Sequence, residues 1–79
     1  MINHHAELHN PVKYTHEGTS WCEGRIHRDI HTHGNHPFRD GTSVTTSNVI
    51  DTIRFDGDFY IITQNTTYKV VGDIREIQL

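Results

Sequence analysis

Between residues 42 and 74, 16 of 33 residues are valine, isoleucine or threonine. Such β-branched side chains are stiff at χ1 and pack well on a pleated surface. A stretch this dense in them has little choice but β-structure. Residues 43–55 read as a strand, with Val49, Ile53 and Phe55 on one face and Val44 and Ile50 on the other. That phase change predicts a bulge near Ser47-Asn48, or burial on both faces. Asp56-Gly57-Asp58 reads as a hairpin turn, because Asp-Gly supplies the positive φ that tight turns require. Residues 59–64 form the return strand, Asn65-Thr66 a second turn and residues 67–71 a third strand. After Gly72-Asp73, residues 74–79 read as a last short strand or a helical turn.

The first half of the chain differs. Residues 1–43 hold 11 apolar residues, against 15 in the shorter remainder, and carry all eight histidines and both prolines. Ala6-Glu7-Leu8-His9 is too short for an independent helix and is stopped by Asn10-Pro11. Residues 19–27 alternate loosely and predict the first strand, while residues 30–41 read as a polar loop punctuated by Gly34, Pro37 and Gly41. The expected fold is mainly β: a small antiparallel barrel or curved sheet of about four to five strands. An irregular, histidine-rich N-terminal segment (1–19) precedes a β-core (20–79) within one domain of 79 residues.

The core available to such a fold is thin. Leucine, isoleucine, valine and phenylalanine number 19 of 79 residues, just above the range of chains that stay disordered. A domain of this size buries only roughly 60% of its unfolded surface. Small domains of this kind draw stability from a metal, a ligand or a second subunit. The lone Cys22 excludes an internal disulfide framework and a Cys-rich zinc ribbon, so a homo-oligomer is expected. The absence of disulfides points to a reducing cytoplasm. There is no apolar run of membrane-spanning length and no basic, then apolar, signal-peptide pattern at residues 1–5. The formal net charge of −3 argues against a nonspecific nucleic-acid binder. Protonating the eight histidines would reverse that charge, so anion binding is expected to depend on pH.

The histidines also suggest a metal. His31, His33 and His36, with His27 or Cys22, could supply the three or four ligands of a tetrahedral zinc site, the only cofactor the sequence suggests. Asp29-Ile30-His31-Thr32-His33 resembles the first metal motif of amidohydrolase-type hydrolases. Those enzymes are (β/α)₈ barrels of about 250 residues, beyond the reach of this chain. His31-x-His33-x-x-His36 resembles the metal motif of cupin barrels, without the glutamate that follows in that family. The remaining reading is that these are solvent-facing loop histidines. Ser20, Ser43 and Ser47 lack a nucleophile-elbow context, and a small strand cysteine is usually buried and inert. A non-enzymatic protein is expected.

His36-Pro37-Phe38-Arg39-Asp40-Gly41-Thr42-Ser43-Val44-Thr45-Thr46-Ser47 carries a more extended pattern. It resembles the H-P-x-F-x-D-G-x-x-[VI]-x-T-S core of short proteins carried by bacteriophages and prophages, with one residue missing between Pro37 and Phe38. Thr63-Gln64-Asn65-Thr66-Thr67-Tyr68 is similar to that pattern's closing turn, and Trp21-Cys22-Glu23-Gly24-Arg25-Ile26 to its opening strand. The resemblance spans residues 20–72 and implies a mobile-element setting and a small β-fold.

Small phage-type proteins often act by occupying a host target. The expected function is therefore binding that counteracts a host system, by sequestering a small anionic, nucleotide-like ligand at a homo-oligomer. Arg25, Arg39 and Arg54 are the candidate phosphate ligands, Trp21 and Tyr68 the candidate stacking rings, and His36 and Thr46 further polar contacts. Aromatic rings beside guanidinium groups are how small β-folds hold bases and phosphates. The alternatives are a direct inhibitor that docks on a host protein through a β-edge, and a histidine-rich zinc-binding protein.

Overall fold

The structure is a computed structural model that describes residues 3–30 and 38–79. Its elements are β1 (Ala6–His16), β2 (Thr19–His27), β3 (Thr42–Thr45), β4 (Val49–Phe55), β5 (Asp58–Thr63), β6 (Thr67–Val71) and β7 (Arg75–Gln78). They form one sheet in the order β3-β2-β1-β6-β5-β4, with β7 also paired to β1. No described residue is helical, so no helix is long and apolar enough to cross a membrane.

This corrects the sequence reading in three respects. The described residues form seven strands rather than about four to five. The sheet is mixed, since β1 runs parallel to both β6 and β7, and it is not closed into a barrel. Most of the N-terminal segment is ordered as β1, which lies at the centre of the sheet.

Asn10-Pro11 does not stop β1; it bulges it. Asn10 has a φ of 48° and Pro11 is buried, and the register against β2 shifts between His9 and Val12. A bulge lets a strand absorb a proline that offers no N–H to the ladder. The bulge also splits the other edge of β1. Residues 6–9 pair with β6 (68–71), and residues 12–15 pair with β7 (75–78). Between those partners the Asp73 N–H donates to the Asn10 side-chain oxygen at 3.3 Å. Gly72 has a φ of 82° and packs so closely on the Asn10 amide that a Cβ would overlap it.

Two tight hairpins set the other registers. Glu17 and Gly18, between β1 and β2, have φ of 49° and 79°; Asp56 and Gly57, between β4 and β5, have 53° and 83°. Two consecutive positive φ values match the right-handed twist of the flanking strands. Residues 43–55 are not one bulged strand, as the pattern predicts: residues 46–48 separate β3 from β4 and carry the chain from the β2 side of the sheet to the β5 side. There the Thr46 N–H donates to the Cys22 carbonyl (2.8 Å), the Cys22 N–H donates to Thr46 Oγ1 (3.0 Å), and the Gln64 N–H donates to the Asn48 carbonyl (3.1 Å). A second bulge, between Val49 and Asp51, places Val49 opposite Thr63 and against the core. Val49 therefore does not share a face with Ile53 and Phe55, as the alternation alone predicts.

Directly opposed residues share a face. Leu8 is opposite both Ile26 and Val70, and Tyr68 is opposite both Ala6 and Ile61. With Cys22 these make the buried inner face. Gly24 lies on it too, where a Cβ would come within 3.0 Å of Leu8 Cγ and 3.2 Å of the His9 carbonyl. Gly24→Ala is therefore expected to cost about 1–3 kcal/mol by overpacking, read by denaturant unfolding. Burial pushes the Cys22 thiol up from about 9 to about 11. The folded state then holds a proton that the unfolded state releases, so stability falls as pH rises from about 9 towards about 11. Native Cys22 should resist thiol reagents at pH 8 and react once unfolded, and Cys22→Ala should flatten the alkaline loss of stability.

Candidate functional site

The face opposite the core is built by the alternation of β2. Cys22, Gly24 and Ile26 point inward, so Trp21, Glu23, Arg25 and His27 point outward. Their β1 neighbours complete the rows: Tyr14 opposite Trp21, Val12 opposite Glu23, His9 opposite Arg25 and Glu7 opposite His27. Tyr14 stacks on Trp21 with ring centroids 5.9 Å apart and planes 23° from parallel. At the other end the His9 and His27 rings lie 3.9 Å apart, and His9 Nε2 is 3.1 Å from a Glu7 carboxylate oxygen.

Between these ends runs an open groove of about 380 Å³, lined by His9, Asn10, Val12, Tyr14, Glu23, Gly24, Arg25 and Ser43. The β1 bulge hollows it out, and Gly24 contributes only backbone to its floor. Its volume suits a small ligand. The Tyr14 hydroxyl donates to the Glu23 carboxylate, which raises its pKa above the ordinary tyrosine value; desolvation adds to this and Arg75 opposes it. One arm of Arg25 donates to the Gly41 carbonyl at 2.8 Å, which anchors the guanidinium beside β3. A guanidinium has five N–H donors, so anchoring one arm leaves others for an anion. The groove thus joins an aromatic stack, a carboxylate able to accept from hydroxyl groups and a fixed cation.

The predicted ligand residues do not converge on one point. Trp21 and Arg25 share this outer face. Thr46 and Tyr68 instead line a second cavity of about 400 Å³ on the inner side of the sheet, with Phe38, Val44, Ser47 and Asn65. Arg54 lies over the Phe59 ring (5.1 Å) and lines a third cavity with Asp58 and Asp73. Arg39 is exposed, and its carbonyl accepts from the Thr42 N–H at 3.1 Å. His31, His33 and His36 lie outside the described residues, and among the described residues no group of three side chains is placed to hold a metal. His27 and Cys22, the suggested further zinc ligands, sit on opposite faces of β2. Asp29 of the D-x-H-x-H motif is buried, and its carboxylate accepts from the Phe38 N–H at 2.8 Å.

Tyr14 and His9 were missed because β1 was not read as a strand. Glu23 and His27 were legible, since Trp21-x-Glu23-x-Arg25-x-His27 has the period of one strand face. Comparison with known proteins finds no matching family model, no matching curated protein and no matching solved structure. Glu23→Gln should bring the Tyr14 titration down towards the ordinary tyrosine range, read by phenolate absorbance. An unchanged midpoint would show that the hydrogen bond does not hold Tyr14 in solution.

Proposed function

We propose that this chain is a non-enzymatic binding protein that sequesters a nucleotide-like anionic ligand in the groove along β1 and β2. The observation that carries this reading is the placement of Trp21, Glu23 and Arg25 along one strand face, with the Tyr14 ring of the groove stacked on Trp21. At about 3.3 Å per residue, four steps along β2 set the backbone positions of Trp21 and Arg25 about 13 Å apart. That span accommodates a base against the Tyr14–Trp21 stack, a sugar whose hydroxyls donate to Glu23 and a phosphate on Arg25. In the phage-type setting implied by residues 36–47, removal of such a ligand from solution would itself counteract a host system. Isothermal calorimetry against AMP, cyclic nucleotides and NAD-derived nucleotides tests this. Trp21→Ala should weaken binding by about tenfold through lost stacking. Arg25→Ala should weaken it by about tenfold to a hundredfold through lost charge-assisted hydrogen bonds. No heat with any nucleotide would refute the reading.

One observation favours the β-edge reading. Among the described residues β4 pairs with β5 alone, and Ile50 and Phe55 on it are 66% and 46% exposed. A long strand with a bare edge and exposed apolar side chains is a site for strand addition. The same edge serves self-association, which the thin core leads us to expect. Sedimentation velocity of the wild type and of an Ile50→Lys, Phe55→Lys double variant separates the two. An oligomer that the variant dissolves makes β4 the subunit interface; a wild-type monomer leaves β4 free for a host protein.

A further inference from the structure

We propose that the ligand is of the dinucleotide class, two nucleoside units joined through phosphate, and that it straddles the edge of β3. This rests on the nucleotide reading above and extends it to a second cavity. Ser43 lines both the outer groove and the inner cavity, so the two spaces meet at β3. β3 is four residues long and ends the sheet, and among the described residues it pairs with β2 alone. The cation of the groove stands at that divide: Arg25 is directly opposite Ser43, and its guanidinium is anchored on the Gly41 carbonyl just before β3.

The inner cavity has the chemistry of a base site rather than a phosphate site. Its described lining carries no charged side chain. Among the described residues no cation stands there to replace the hydration a phosphate would lose. A neutral ring would meet the rings of Phe38 and Tyr68, while the exposed Asn65 amide offers both a donor and an acceptor to a base edge. At about 400 Å³ against about 380 Å³, the two spaces are matched in size. One phosphate-bearing linker between two flat units satisfies the whole arrangement: charge at Arg25, rings on either side.

Isothermal calorimetry on the full chain with AMP, the dinucleotide ApA and NAD tests this. Linking two units that each fit a site should make ApA or NAD bind on the order of a hundredfold tighter than AMP. Asn65→Leu and Phe38→Ala, both at exposed positions, should each cut that advantage. If AMP binds as tightly as ApA and NAD, the straddling inference fails and the nucleotide reading stands. If ApA and NAD are tighter but neither variant reduces the difference, the inner cavity is not the second site and the inference fails. If none of the three binds, the nucleotide reading fails and takes this inference with it.

Discussion

The bulge at Asn10-Pro11 is the constraint on which the rest of the sheet depends. A straight β1 would present one uninterrupted edge to a single neighbour. The bulge instead divides that edge between β6 and β7, with the Asn10 side chain bonded into the gap. Because β1 lies in the sheet between β2 and the C-terminal strands, its pairing with β6 and β7 joins the two halves of the chain around one core. The cost of a positive φ at a non-glycine residue falls on asparagine, whose short polar side chain tolerates it. The same kink turns His9, Val12 and Tyr14 outward around a hollow, so one local irregularity both closes the core and opens the groove.

Closure at the opposite end depends on a threonine. Thr46 exchanges hydrogen bonds with the Cys22 backbone through its N–H and its hydroxyl, and the hydroxyl also donates to the Ser47 carbonyl at 2.7 Å. Those contacts satisfy the backbone of β2 beyond the end of β3 and hold the curl of the sheet. Thr46 thus holds the backbone while it also lines the inner cavity. Asp29 likewise holds backbone, its carboxylate tied to that of Phe38. Arg25 differs, because its anchor on Gly41 occupies one arm of the guanidinium and fixes the direction of the others.

The second half of the fold was legible because its signals are local. Asp56-Gly57 marks its own turn, and the β-branched runs on either side mark β4, β5 and β6. Glu17-Gly18 makes the same kind of turn, but no run of β-branched residues precedes it to mark the strand it closes. The misreading of β1 has a physical origin. Its alternation, Ala6 and Leu8 inward with Glu7 and His9 outward, is only four residues long before the proline. Nothing local reveals that a bulge will let the strand continue. The parallel pairing of β1 with β6 joins residues some sixty positions apart, a relation set by mutual burial rather than by either segment alone.

The sequence by itself determined that the chain is β-rich, where its C-terminal hairpin turns and that Trp21 and Arg25 alternate on one strand. These follow from φ preferences and from the two-residue period of a strand, which act over a few neighbouring residues. Only the tertiary structure decided that β1 lies at the centre of the sheet, that Tyr14 comes to stack on Trp21, and that Arg54, Thr46 and Tyr68 belong to other cavities. Those outcomes depend on long-range pairing and on two bulges, where burial of distant apolar residues outweighs the local pattern.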